Sequence, residues 1–481
     1  MKKKLDKNLE KYFMPDLKKA RKRIEKEIET VRYNLENKYE NIGNGKTYSV
    51  LTYGCQGNEA DSEIISGILE SLGYEKGTTT DENDVVIINT CAVRENAENK
   101  IWGILGRLKQ AKRNNPDMII GICGCMPQEE NVVNTLLEKY HQIDIVFGTH
   151  NINNLPRIIY DAYMSKDKVI EVLSTEGKIV ENMPKKRANK HRAWVNIMYG
   201  CDEFCTYCIV PYTRGKERSR DKDDVINEVK SLVSEGYVEV TLLGQNVNAY
   251  GKDLDNGYTF GDLLVDLDKT GIKRIRYTTS HPRDLDDKTI QAMATCKSVM
   301  PHIHLPVQSG NDEVLKRMNR KYTKDEYLVL IEKLKKAIPG IAITTDIIVA
   351  FPGETQEQFQ DTLELVDEVK FDGAFTFIYS PREGTPASKY ENLLTEEEKH
   401  ARLNELVEHT NRFYKEGNER FVGKVVEVLV DEEAKEPGMV CGYSEHFKLV
   451  NFVGDKSLIG SLVKVRITEA KTWFVKGELV E

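Results

Sequence analysis

The chain has 481 residues, 40% hydrophobic and 30% charged, with a formal net charge of −8. That length suits about three domains with ample core, and the acidic balance excludes a polycation that holds nucleic acid by bulk charge, so such a partner must meet local basic patches. The nine cysteines lack the spacing of a secreted disulfide framework, and neither a signal-peptide core nor a membrane-spanning run is evident. A reducing cytoplasm is therefore expected, with no membrane partner and thiols free to bind metal.

Residues 1–45 read as a charged helical extension. The first forty residues carry 13 Lys or Arg and 8 Asp or Glu, and over 16–39 Leu17, Ile24, Ile28, Val31 and Leu35 are spaced for a thin apolar stripe. A solvated helix docked on its own protein is the expected arrangement. Gly45, Lys46 and Thr47 resemble the end of a phosphate loop, but Glu40 stands where that motif needs glycine, and a strand rather than a helix follows.

Residues 46–165 alternate strands (48–52, 85–89, 118–122, 143–147) with helical stretches, which predicts a doubly wound α/β domain with a mostly parallel sheet. Cys55 follows the first strand, Cys91 the second, and Cys123 and Cys125 end the third; Cys55, Cys91 and Cys125 stand 36 and 34 residues apart, about one βα unit each. The carboxyl ends of parallel strands share one edge, where ligands bind. Buried free cysteines are common, but three in register argue for an iron–sulfur cluster with one iron left open. One of Cys123 and Cys125 suffices, and Cys123 is expected to face the core. Residues 166–186 read as a linker, and Lys185, Lys186, Arg187, Lys190 and Arg192 make its far end basic, as suits a solvated hinge or an RNA contact.

Residues 187–417 resume the βα rhythm with strands at 193–198, 238–243, 274–279, 302–306, 342–349 and 374–379, a barrel or partial barrel whose site lies at the carboxyl ends. Behind the first strand stand Cys201, Cys205 and Cys208 in a C-x3-C-x2-C spacing with no fourth cysteine in reach. Three thiolates hold three irons of a 4Fe-4S cluster and leave the fourth open, as a reactive rather than structural metal requires. An open iron can chelate S-adenosylmethionine (SAM) and pass it one electron, giving a 5′-deoxyadenosyl radical. The other strand ends are polar and glycine-rich. Gly244 and Gln245, Ser280 and Gln308, with Tyr207 between the cysteines, are the candidates to surround SAM. His281 and His304 are open to a base role or a structural one.

Residues 418–481 contain strands at 422–430, 448–452 and 462–467, suggesting a small antiparallel β-barrel of the kind that binds or flanks nucleic acid. From residue 419 it carries 9 Lys or Arg against 11 Asp or Glu, so an RNA face must be one-sided. Lys424, Lys448, Phe447 and Phe452 are the candidates for phosphate contact and stacking.

On these motifs the chain, from about residue 46 onward, resembles the radical-SAM methylthiotransferases, whose last domain is an RNA-binding barrel called TRAM. Within the family, TYCIVPYTRG (206–215), TSHP (279–282) and LVNF (449–452) are most similar to the branch that acts on isopentenylated adenosine beside the tRNA anticodon. The resemblance implies that Cys201, Cys205 and Cys208 hold the cluster that cleaves SAM. It implies that Cys55, Cys91 and Cys125 hold an auxiliary 4Fe-4S cluster that carries and donates sulfur. One SAM would supply methyl, and a second the radical that takes hydrogen from C2 of the adenine, giving 2-methylthio-N6-isopentenyladenosine in tRNA. That C–H is unactivated, so acid–base catalysis cannot remove it, and the base must leave its stack to reach a buried site. An electron donor such as flavodoxin or ferredoxin would complete the system. Sister enzymes act on threonylcarbamoyl-adenosine in tRNA or on a ribosomal-protein aspartate with the same clusters, and a non-catalytic iron–sulfur scaffold is a reading of a different class. Ala350 departs from the glycine usual before Phe351, Pro352 and Gly353.

Overall fold

The computed structural model describes residues 28–480 apart from 93–94 and 174–177. Its N-terminal sheet comprises β1 (Thr47–Tyr53), β2 (Glu75–Lys76), β3 (Val85–Thr90), β4 (Ile119–Gly124), β5 (Ile145–Phe147) and β6 (Val169–Glu171). All pairs are parallel, in the order β2-β1-β3-β4-β5-β6. β3 and β4 are buried along their whole length, as near-continuous apolar runs covered on both faces should be. Helices Gln56–Ser71 and Leu155–Ser165 cover one face, and Glu95–Asn114 and Glu130–Lys139 the other.

Two expectations need correction. Half of the charged helix expected at 16–39 lies outside the described residues, and the other half is not one helix: Thr30–Arg32 is a strand paired in parallel with Ile179–Glu181, and only Asn37–Tyr39 makes a short 3-10 turn. The stretch 166–186 is more than a linker, for it holds β6 and that partner strand. Strands of three residues are too short to show a period in sequence.

The central domain has β7 (Arg192–Asn196), β8 (Glu239–Leu243), β9 (Arg274–Tyr277), β10 (His302–His304), β11 (Ala342–Val349) and β12 (Gly373–Ile378). They form two parallel three-stranded sheets, β7-β8-β9 and β10-β11-β12, linked by the Ile275–Val299 bridge, with β7 and β12 at the two ends of this partial barrel. Val195, Val240, Leu242, Ile275, Ile303, Ile343, Ile347 and Val349 turn outward into one core under the helices. The alternate residues therefore line the barrel interior. Helix Glu396–Glu419 covers the free edge of β12, where the Tyr414 hydroxyl accepts from Ala374 N–H at 2.6 Å and donates to its carbonyl at 2.8 Å.

The last domain is a closed barrel of β13 (Val425–Glu433), β14 (Met439–Ser444), β15 (Leu449–Val453), β16 (Leu462–Ala470) and β17 (Val475–Leu479), antiparallel except for the β15–β17 pair. It seats on the amino-terminal end of the partial barrel. Arg274, at the start of β9, donates to the Tyr443 and Glu427 carbonyls at 2.9 and 2.7 Å. Arg276 donates to the Ser444 carbonyl at 2.6 Å, and Arg192, at the start of β7, pairs with Asp431 at 2.9 Å. The cysteine loop lies at the other end of the strands.

Candidate functional site

Cys55 caps the N-terminus of helix Gln56–Ser71, directly behind β1. Buried asparagines fix its position: Asn58 accepts from Cys55 N–H at 3.3 Å and donates to the Asn89 side chain and the Thr90 carbonyl, each at 3.1 Å. The ends of β1 and β3 are thereby tied, and the Cys91 thiol comes within hydrogen-bonding reach of the Cys55 sulfur. β4 closes on them through Gly124, at φ +100°, where a Cβ would lie 2.3 Å from the Thr90 carbonyl oxygen. Cys125 follows, fully buried beside Cys55. Cys123 points instead into the apolar core. The Cys91 contact holds the Cys55 thiol down at about 5, against burial and helped by Arg214 and by the Gly57 and Asn58 backbone. A thiolate at a helix N-terminus beside a buried cation suits a soft metal.

Cys201, Cys205 and Cys208 wind through a loop after β7, all mutually close. Cys201 N–H donates to the Gly215 carbonyl at 3.0 Å and Cys208 N–H to the Cys205 carbonyl at 3.0 Å. Asn319 donates to the Glu203 and Phe204 carbonyls at 3.3 and 3.0 Å, and Arg320 to the Cys205 sulfur at 3.5 Å. Burial pushes the Cys201 thiol well up and the Cys208 thiol up to about 12, with Cys205 adding in both cases. Thiols so placed give up their protons to a metal that supplies the compensating charge. All six cysteines are free of disulfides. The two trios meet across one apolar contact of Ala92, Cys125, Ile209 and Tyr212, with Phe204 against it.

The candidates for SAM lie around the second trio. Gln245 accepts from Gly200 N–H at 2.5 Å, and Gly244 lies so close to Met198 that a Cβ there would stand 2.6 Å from its Cγ. Ser280 Oγ and Gln308 Oε1 are buried without a partner, as are Asn246 Oδ1 and Asn248 Nδ2. Orphaned polar atoms of this kind are what a polar cofactor satisfies. Tyr207 packs edge-on to Phe351 at 6.4 Å. Four non-glycine residues here are left-handed: Phe204 (φ +46°), Thr279 (+69°), Gln308 (+71°) and Ala350 (+56°). Such strain gathers at functional sites.

His281, open from sequence to a base or a structural role, falls with Glu203 and Asp284, which sequence reasoning missed; their ligand atoms lie within 4.8 Å of one another. Arg283 pairs with both Glu203 and Asp284, and Lys252 with Asp284, so this is an ion-pair network rather than a cation site. Burial and neighbouring Asp284 push Glu203 up to about 7, and burial holds His281 far down and neutral. Arg214 was missed too. It leaves the cysteine segment, pairs with Asp61 of the N-terminal domain at 2.7 Å and comes within reach of Cys125.

The RNA candidates fare differently. Phe452 is 0% exposed in the core of the terminal barrel, and Lys448 is buried with its Nζ 2.9 Å from Asp372, so neither can meet a nucleic acid. Phe452 lies on the inward side of a strand whose period could not be anchored from sequence. Lys424 is exposed, and Phe447 is exposed and stacked on Tyr443. Four of the five basic residues at the end of the expected linker are ion-paired within the protein, Lys185 and Arg187 with Glu228, Lys186 with Glu70 and Arg192 with Asp431, while Lys190 is exposed. Among the described residues no helix is long and apolar enough to cross a membrane.

Three family models match: Radical SAM superfamily over 195–366, Uncharacterized protein family UPF0004 over 47–148, and TRAM domain over 419–480. The whole chain aligns at 55% identity with 96% of a tRNA-2-methylthio-N(6)-dimethylallyladenosine synthase of Bacillus cytotoxicus, and at 54% with 92% of one of Geobacillus kaustophilus. Among solved structures it resembles a radical S-adenosylmethionine methyltransferase, TsrM, of Kitasatospora setae, bound to tryptophan and a SAM analogue. There the TM-score is 0.52 and the identity 14%, over 72% of this chain and 75% of that one. That likeness concerns the fold alone.

Proposed function

The chain belongs to the tRNA-2-methylthio-N(6)-dimethylallyladenosine synthases, and from that premise we propose that it adds a methylthio group to C2 of N6-isopentenyladenosine beside the anticodon of tRNA. It is a radical SAM enzyme. When bound, a 4Fe-4S cluster with SAM supplies the 5′-deoxyadenosyl radical that takes the C2 hydrogen, and an auxiliary cluster and a second SAM supply sulfur and methyl. The protein's own part is to hold and orient. Cys201, Cys205 and Cys208 ligate the first cluster, and Cys55, Cys91 and Cys125 the second. Ser280 and Gln308 offer orphaned polar atoms to SAM. Arg320 and Asn319 fix the cysteine loop, and the Ala92–Tyr212 contact keeps water from between the trios.

The observation that carries this reading is the meeting of two cysteine trios across that one contact. A tRNA substrate puts the enzyme in the cytoplasm, with a small low-potential donor such as flavodoxin or ferredoxin as its reductant. The relatives' names favour this substrate over threonylcarbamoyl-adenosine or a ribosomal protein. Mass spectrometry of tRNA nucleosides tests it: deleting the gene should remove the methylthio nucleoside and accumulate N6-isopentenyladenosine. Unchanged methylthio nucleoside would sink it. Reconstituted Cys91→Ala protein should still cleave SAM yet form no methylthio product, whereas Cys201→Ala should lose cleavage. Methylthio product from Cys91→Ala would refute the auxiliary ligand set.

A further inference from the structure

The interior of a complete eight-stranded barrel is filled by branched side chains in layers. Here the wall made by β10, β11 and β12 is not filled. Register places His302, His304, Thr344, Asp346, Ile348, Phe375 and Phe377 on its inner face, with Asp346 beside Phe375 and Ile348 beside Phe377. Phe375 is 60% exposed and Phe377 45%, although they sit within the strand sequence Gly373–Ile378. Period-two phenylalanines on a strand normally face a core, so two left in water mark a surface that something else covers.

The wall is one segment of a longer aromatic track. At its amino-terminal end Tyr443 and Phe447 of the terminal barrel stack at 4.7 Å, and Phe447 meets His302 at 4.8 Å. His302 and His304 both reach the Thr344 hydroxyl at 3.1 Å, and His304 meets Phe375 edge-on at 5.8 Å. At the carboxyl end Ile348, the neighbour of Phe377, packs with Tyr207 against Phe351 and Tyr379. Tyr207 stands between Cys205 and Cys208. The track thus spans the strands, about 17 Å for five residues, from the terminal barrel to the cysteine loop.

We propose that this track, centred on Phe375 and Phe377, is the stacking platform for unpaired bases of the tRNA loop that carries the target adenosine. The inference rests on the tRNA reading above. Unpaired RNA bases are recognised by stacking on aromatic rings, and this track ends at the site where one base must be presented. Nearby cations are already engaged: Lys448 and Arg420 on Asp372, and Arg276 on Glu239. The platform therefore grips base faces rather than phosphates.

The test uses reconstituted full-length enzyme and an isopentenylated anticodon stem-loop with 2-aminopurine beside the target base, titrated at several salt concentrations. Wild type should quench the fluorophore. Phe375→Ala and Phe377→Ala should each weaken binding about tenfold and lessen the quench, without changing the slope of affinity against salt, since no phosphate contact is lost. Phe375→Tyr and Phe377→Tyr should restore both, which a mere folding defect would not. Equal affinity and quench in wild type and the Ala variants would overturn the platform and leave the tRNA reading standing. Wild type binding the stem-loop no better than an unmodified hairpin of scrambled loop would overturn both. Sedimentation showing a dimer in wild type and a monomer in the Phe375→Ala, Phe377→Ala double variant would also overturn the platform, making the wall a self-association face.

Discussion

Arg214 carries its charge into a place without water. It is 7% exposed, paired with Asp61 at 2.7 Å and set beside Cys55 and Cys125. Removing one member of a buried pair strands the other, at about 3–5 kcal/mol. Asp61→Ala should therefore destabilise the metal-free protein by about that much in urea titrations, and the auxiliary site should load less iron. A loss under about 1 kcal/mol would show the pair to be solvated. Glu217 gives a second residue-level expectation. Burial raises it to about 7 from 4.5, against the Asp202 N–H that it accepts. The folded state then holds this proton more tightly than the unfolded chain, so its contribution is full below about pH 4.5 and is lost as pH rises through about 7. The urea midpoint of metal-free protein should fall between pH 5 and pH 8, and Glu217→Gln should flatten that fall; an unaltered profile in the variant would discount Glu217. Ala350 is strained at this scale: at φ +56° it occupies a conformation that glycine adopts freely and a residue with a Cβ does not.

At the scale of elements, helix Glu396–Glu419 closes the edge of β12 and so keeps the aromatic wall from acting as a template for other strands. Its N-terminus is a capping box: Glu398 N–H donates to Thr395 Oγ1 at 3.2 Å, and Thr395 N–H to Glu398 Oε2 at 2.8 Å. Thr395→Ala should cost about 1 kcal/mol and speed hydrogen exchange along 373–378. Unchanged exchange there would mean that Tyr414 alone holds the edge. This level also shows what the sequence could carry. The strands behind Cys55, Cys91, Cys125 and Cys201 were legible because apolar runs and βα spacing fix them, and the cysteines mark their carboxyl ends. β6 and β17 were not, being short or half exposed. Phe375 and Phe377 read as ordinary strand residues, because their exposure depends on the barrel staying open, a property of no local segment. Arg214 and Glu203 were hidden for a related reason: their partners are 153 residues away in Asp61 and 80 away in Arg283.

For the whole molecule the decisive relation is that the terminal barrel and the cysteine loops lie at opposite ends of the same strands. On the proposed platform, a tRNA that touches both must cross the wall between them, and the seating of the terminal barrel would then set where its loop lies. Arg274 is central to that seating. It is 0% exposed and donates to the Tyr443 and Glu427 carbonyls, with Glu239 4.0 Å away. Arg274→Met keeps the bulk and removes the donors, leaving two carbonyls unpaired at an interface, each worth about 1–3 kcal/mol. The terminal barrel should then loosen. Trypsin should cut near Arg420 faster than in wild type, and KM for tRNA should rise while SAM cleavage without tRNA persists, because the cysteine loops lie at the far end of the strands. An unchanged KM together with faster cutting would mean that the terminal barrel does not position the tRNA. An unchanged cutting rate would mean that Arg276 and the Arg192–Asp431 pair suffice to hold the two barrels together.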